Sequence, residues 1–247
     1  MPAGDLGTHM TFSVCTRVEG DERTSFGIGV ATDAPAVGAL APFVDEGGAI
    51  CTQSFVNVRL GRRGISLLSD LAVGDVLDGL LAQDERSDLR QVHGLDARGD
   101  AYAFSGENCE EWFGHRVEEG TGTTAAGNML ANGETLDAAI EALNRDREAN
   151  AATAEASTGT GTDDADEAEL TDRLIDALAA GVEAGGDKRG HSSAAISVWG
   201  PETTAYHDLR VDHHDEPVVE LRRVHDAARA RSEAADFDED SKSRIFD

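Results

Sequence analysis

The sequence predicts an α+β protein in which antiparallel sheets pack together and are covered by helices. Three observations carry this expectation. Strand-like and helix-like segments come in blocks, in the order βββ-αα-ββ(β)-α-α-ββ-α, and not in the regular alternation of a doubly wound parallel sheet. The first strand-like runs show period-2 alternation around a polar turn. Hydrophobic residues make up 40% of the 247-residue chain but aromatics only 5%, so the core is built from Ala, Val, Leu and Ile in closely packed layers. The length suits one domain.

Residues 1–10 have no periodicity and read as an extension or a propeptide. In residues 11–32, Phe12, Val14, Thr16 and Val18 alternate with Ser13, Cys15 and Arg17. After a polar turn, Phe26, Ile28 and Val30 alternate with Gly27, Gly29 and Ala31. This is a β-hairpin pattern with Thr11 at its leading edge and Gly27-x-Gly29 as a packing feature. Met10 directly precedes Thr11. A start at Met10 followed by its removal leaves a threonine with a free α-amine, which is a nucleophile and a base in one residue.

Pro35, Gly38 and Pro42 argue for a shaped connection, followed by a third strand at residues 49–54. Thr52-Gln53-Ser54 places small residues at its end, where backbone and ligand can approach, and makes Thr52 a candidate for substrate binding. Ile65, Leu67, Leu68 and Leu71 form a helical stripe after Gly61-Arg62-Arg63-Gly64, and a second helix begins at Gly74-Asp75, the acid suiting its first turn. Residues 89–95 and 101–104 return to β character. Residues 105–129 are rich in glycine and polar groups. Helices are expected from about Glu134 and through Leu170, Leu174, Leu178 and Val182, separated by a low-complexity, solvated insertion at 149–166. Strands at 193–199 and 205–211, a helix at 218–230 and an acidic tail from 232 complete the chain, with the main domain taken as residues 11–231.

Charge is the strongest bulk signal: 48 acidic against 21 basic residues, net −27, with Lys188 and Lys242 as the two lysines. An acidic, lysine-poor surface resembles adaptation to high salt, where self-repulsion is screened. The periodic apolar segments argue against a disordered acidic chain, and the absence of a basic patch argues against nucleic-acid binding. Cys15, Cys51 and Cys109 form no C-x-x-C pair and read as reduced thiols of a cytoplasmic protein. No signal peptide or membrane span is visible. His207, His213 and His214 with Asp208, Asp212 and Asp215 lack the spacing of a metal site, so no metal or other cofactor is expected. Walker A, Rossmann and G-x-S-x-G patterns are absent.

Several stretches together resemble a known family: residues 36–68, Gly106-x-x-Cys109-x-x-Trp112-x-Gly114-His115-Arg116, Gly127-Asn128-Met129-Leu130, residues 185–190, and residues 208–212 leading to Glu220-Leu221-Arg222-Arg223. They are similar to the prokaryotic family catalogued as domain of unknown function 1028, placed in the N-terminal nucleophile (Ntn) hydrolase superfamily. The family's usual opening corresponds to residues 10–13. The chain departs from its pattern in the ten preceding residues and in His191-Ser192, where a Lys/Gln-like pair is expected. The resemblance implies a four-layer αββα sandwich with the nucleophile at the start of a central strand.

On that basis Thr11 is the candidate nucleophile, against a plain role as a β-branched strand residue. Asn128 is a candidate oxyanion donor, or else a turn asparagine in a left-handed conformation. Asp187 could orient the Thr11 ammonium and Arg189 bind a substrate carboxylate, or the two could belong to a solvated helix-terminal loop. His115 could line a pocket with Trp112, or the pair could pin a long loop to the core, which is the preferred role for Cys109 and Trp112. The expected activity is amide hydrolysis of a small or peptide-like substrate through an acyl-enzyme. The alternative is a catalytically silent Ntn-fold protein that binds a small ligand or a partner. A homodimer through exposed helices is a fold-level expectation.

Overall fold

Strand β1 (Thr11–Glu19) pairs antiparallel with β2 (Thr24–Thr32), placing Thr11 opposite Thr32. The alternation divides the hairpin as its sequence suggests. Phe12 and Val14 enter one apolar cluster, while Cys15, Phe26, Ile28 and Val30 enter another on the opposite face. The structure is a computed structural model and describes residues 10–20, 24–154, 163–185, 190–200 and 207–234.

The remaining strands are β3 (Pro42–Asp45), β4 (Gly48–Ser54), β5 (Arg90–Asp96), β6 (Ala101–Ser105), β7 (Gly114–Glu118), β8 (Thr123–Asn128), β9 (Ser193–Trp199) and β10 (Asp208–Val211). They form two antiparallel sheets among the described residues. The six-stranded sheet has the order β10-β9-β2-β1-β8-β7 and the four-stranded sheet β3-β4-β5-β6. The helices are α1 (Val58–Leu67), α2 (Val73–Leu81), α3 (Glu134–Ala154), α4 (Asp163–Gly185) and α5 (Pro217–Ala234). The architecture is therefore α+β with helix-covered antiparallel sheets.

Three apolar clusters hold it together. Phe12, Val14 and Ile196 of the larger sheet pack with Leu136, Leu143, Leu174, Leu178 and Leu221 of α3, α4 and α5. Ile50 and Val92 of the smaller sheet pack with Leu60, Val76, Leu77 and Leu80 of α1 and α2. Between the sheets, Ile28, Val30 and Ala195 meet Ala49, Cys51 and Leu95. Each large aliphatic side chain so buried contributes about 1.5–3 kcal/mol. Gly27 and Gly29 do act as packing residues: a Cβ at Gly27 would lie 2.7 Å from Leu174 Cδ1 of α4.

Several expectations need correcting. Residues 42–45, read as a connection, form edge strand β3, where Pro42 is tolerated at the first position. Helix α1 does not follow Gly61 and Gly64 but contains both, starting from the Asn57 cap, whose side chain accepts from Leu60 N at 3.0 Å. Glycine is required there because α1 lies directly on the smaller sheet: a Cβ at Gly61 would stand 2.1 Å from the Phe43 ring. The glycine-rich stretch 105–129 contains two strands, one of them, β8, beside the central β1. The insertion read at 149–166 is helical at both flanks, in α3 and α4. Residues 155–162, the extension before Met10 and the tail from 235 lie outside the described residues.

Candidate functional site

Three strand ends converge at Thr11. It is the first residue of β1 and faces Thr32 on β2 and Asn128 on β8 in the two ladders. The Thr11 and Thr32 hydroxyl oxygens are 2.9 Å apart. The Thr32 hydroxyl donates to the Met10 carbonyl at 2.6 Å, so its oxygen accepts from Thr11. Thr11 opens onto a cavity of about 490 Å³ whose polar lining includes Thr32, Gln53, Asn108, Glu110 and Asn128, with Val37, Leu40, Phe55 and Met129 among the apolar walls.

The backbone around this cavity is strained. The three non-glycine residues with left-handed φ among those described are Ala36 (61°), Ser54 (62°) and Met129 (58°). Ser54 and Met129 line the cavity, and Ala36 sits between Pro35 and Val37, which also line it. Such conformations persist only where the surroundings over-determine them, and they concentrate at ligand sites. Here the determinants are visible. Met129 N–H donates to Glu110 O at 3.1 Å. Ser192 Oγ and Ser193 Oγ donate to the carbonyls of Asp33 and Ala34 at 2.5 and 2.6 Å, and Val37 N–H donates to Ser193 Oγ.

Beneath the cavity lies a buried polar network between the sheets. Ser13 Oγ donates to Gln53 Oε1 at 2.5 Å, so the contact with His93 Nε2 at 2.7 Å has the imidazole donating. His93 Nδ1 then accepts from Thr124 Oγ1 at 2.8 Å. Gln53 Nε2 and Asn128 Nδ2 both donate to Gln91 Oε1, at 2.7 and 3.1 Å. Gln91 Nε2 reaches Ser105 Oγ, Gly127 O and Gly114 O at 2.8–3.1 Å. Gln91 thus spans from the smaller sheet to β7 and β8 of the larger one and fixes the Asn128 amide at the cavity.

Burial pushes the His93 imidazole down to about 3, with the charge of His115 a smaller cause in the same direction. His93 is therefore neutral in the folded protein at pH 7, and its two ring nitrogens link Ser13 of β1 to Thr124 of β8. Its lowered value means that stability from this group is fully present above the unfolded value near 6.5 and is lost as pH falls toward 3. Wild-type stability is expected to fall between pH 6 and 4 relative to His93→Gln by about 1.4 kcal/mol per pH unit. Denaturant titrations at each pH measure it, and parallel pH curves for the two proteins would exclude this neutral buried state.

The predicted site residues separate on inspection. Thr11 and Asn128 come together at one cavity; Asn128 ends β8, and it is the following Met129 that adopts the left-handed conformation. Thr52 sits on the other face of β4, where its hydroxyl accepts from Asn57 N, and it is Gln53 that reaches the cavity. His115 is an exposed residue on edge strand β7, bonded through Nδ1 to Ser105 Oγ and absent from the lining. Asp187 and Arg189 lie outside the described residues. Thr32, Gln53, Gln91 and His93 were missed. Their signal was present in Gln91-x-His93 and Gln53, polar side chains at interior positions of otherwise apolar strands. Cys15, Cys51 and Cys109 are free and buried, with burial raising each thiol, Cys51 to about 12. Among the described residues no three His, Cys, Asp or Glu side chains converge as metal ligands, and no helix is long and apolar enough to cross a membrane.

The family described as "Family of unknown function (DUF1028)" matches residues 11–221. The chain belongs to this family. No curated protein matches it. Among solved structures, a DUF1028 protein from Silicibacter pomeroyi is similar, with 26% sequence identity and a TM-score of 0.70 over 89% of this chain and 86% of that one. The DUF1028 match begins at Thr11, a residue that lines the cavity.

Proposed function

We propose that the chain is an Ntn-type amidohydrolase of four-layer αββα architecture that uses Thr11 as an N-terminal nucleophile on a small amide or peptide-like substrate. The observation that carries this reading is the position of Thr11: first residue of a central strand, hydroxyl-bonded to Thr32, lining a cavity together with Asn128. The succession of apolar clusters, with sheet against sheet in the middle and helices outside each sheet, supports the layered architecture.

In this mechanism the Thr11 hydroxyl attacks the substrate carbonyl and the freed α-amine takes the proton. An α-amine titrates at about 7.7–8.0, so a useful fraction is unprotonated near neutrality. The second Asn128 amide hydrogen, with Gln91 holding the first, is available to the developing oxyanion. Release of Met10 frees the Thr32 hydroxyl, which then can donate to the Thr11 oxygen and steady it as the proton leaves.

One observation favours a second reading, a silent protein binding a small ligand in the same cavity. Met10 is fully buried among the residues between the larger sheet and its helices, and its carbonyl accepts from both Thr32 Oγ1 and Asp33 N. With Met10 in place the Thr11 nitrogen is an amide and no base. Intact-mass analysis of the native protein decides: a chain beginning at Thr11 supports the hydrolase, and a stable chain retaining Met10 supports the binding role. An amide-library screen on the processed protein then identifies the substrate class.

We also read the acidic surface as adaptation to high salt. The thermal midpoint is expected to rise by several degrees between about 0.1 and 1 M KCl, as the screening length falls from ~10 to ~3 Å. A midpoint that is flat or falls over that range, followed by circular dichroism, excludes the adaptation.

A further inference from the structure

A second cavity, of about 520 Å³, lies beside the first and shares Phe55 with it as a wall. Its chemistry is opposite to that of the whole molecule. In a chain of net charge −27, the lining brings together Arg59, Arg63, Arg86 and Arg90 against Asp84 and Glu85.

Arg90 and Asp84 neutralise one another. The Nε and Nη2 atoms of Arg90 donate to the two carboxylate oxygens at 2.8 and 3.2 Å, and the guanidinium holds the Asp84 carboxyl at about 2. Arg90 Nη1 also fixes the Phe55 carbonyl, and Arg86 and Arg90 stack over the Phe55 ring at 5.3 and 4.9 Å. The other guanidinia are uncompensated: among the described residues Arg59, Arg63 and Arg86 make no ion pair and no side-chain hydrogen bond. Arg17, Arg116, Arg210, Arg222, Arg223 and Arg229 each pair with a carboxylate. The exposed Arg62 and Arg231, also unpaired among the described residues, lie outside the cavity, so what sets Arg59, Arg63 and Arg86 apart is their convergence on one concavity. Arg59 and Arg63 stand one turn apart on α1, a like-charge spacing that weakens an isolated helix. Three unpaired forks facing one concavity, in a protein with 48 carboxylates to pair them with, are arranged for an anion from outside.

We propose that this cavity binds the oxyanion group, carboxylate or phosphate, of a small organic molecule. Phe55 then separates the bound anion from the Thr11 cavity, so an acidic substituent sits on one side and the remainder of the molecule reaches toward Thr11. That last link rests on the amidohydrolase reading; the anion site does not.

Titration calorimetry of the full chain with citrate and with pyrophosphate, at fixed ionic strength in KCl, tests it. Saturable binding of either is expected, and the stronger of the two names the source. Arg63→Gln and Arg86→Gln are each expected to weaken that binding about tenfold, the loss of one charge-assisted contact. Arg223→Gln, an exposed arginine of α5 paired with Glu220, leaves it unchanged. Absence of saturable binding to both probes overturns the proposal. So does equal weakening by Arg223→Gln, which would mean bulk charge alone. The readout needs no turnover, so intact binding by a Thr11→Ala protein that turns nothing over separates the two readings.

Discussion

Thr11→Ala is expected to lower amide turnover by at least about a thousandfold, with the fold retained. Under the proposed mechanism the magnitude follows from removing the attacking atom itself, which would leave only substrate positioning and the oxyanion donors. The folded state loses the buried hydroxyl contact to Thr32, worth about 1 kcal/mol. Thr11→Ser keeps the oxygen and the α-amine and is expected to retain a measurable part of the rate, while loss of the γ-methyl loosens the rotamer. The measurement is turnover of the substrate found in the amide screen, by proteins shown by mass to begin at residue 11. Equal turnover by wild type and Thr11→Ala would remove Thr11 from the chemistry and leave the cavity as a binding site.

The second large effect is on stability. Gln91→Leu is expected to cost about 3–5 kcal/mol, lowering the thermal midpoint by roughly 10 °C. Gln91 is fully buried, and its side chain closes the polar contacts of Gln53, Asn128, Ser105, Gly114 and Gly127 at once. Leucine has nearly the same volume, so the loss is not a cavity effect. It comes from buried donors and acceptors left without partners, each costing about 1–3 kcal/mol. Gln91→Glu discriminates further. Its carboxylate can still accept from Gln53 and Asn128 but faces the Gly114 and Gly127 carbonyls with a negative oxygen, so it should be destabilised too, and less so at acidic pH. Thermal and denaturant unfolding measure both variants. A Gln91→Leu protein within 1 kcal/mol of wild type would show that the network does not hold the sheets in register.

The His93 titration belongs to the same network. Its neutral imidazole donates through Nε2 to Ser13 and accepts through Nδ1 from Thr124, tying β5 to β1 and β8 under the cavity. Protonation would place a charge in this fully buried site, which is why acid is expected to loosen this part of the protein first.

By itself the sequence determined the α+β class with antiparallel sheets and the leading hairpin, because period 2, period 3.6 and block order are local properties of the chain. It also determined that Thr11 and Asn128 merited attention, and that Gly27 and Gly29 serve packing. Tertiary structure alone decided which polar residues share a site. Thr52 and Gln53 are neighbours in sequence, yet the pleat sends one toward α1 and the other to the cavity. The place of β8 beside β1, hidden in a glycine-rich stretch, is what brings Asn128 opposite Thr11. The arginine cavity joins α1 to residues 84–90, far apart along the chain. In each case the reason is the same: periodicity reports the face a residue occupies, whereas the partner across that face is set by strand order and by which helices the sheets bury.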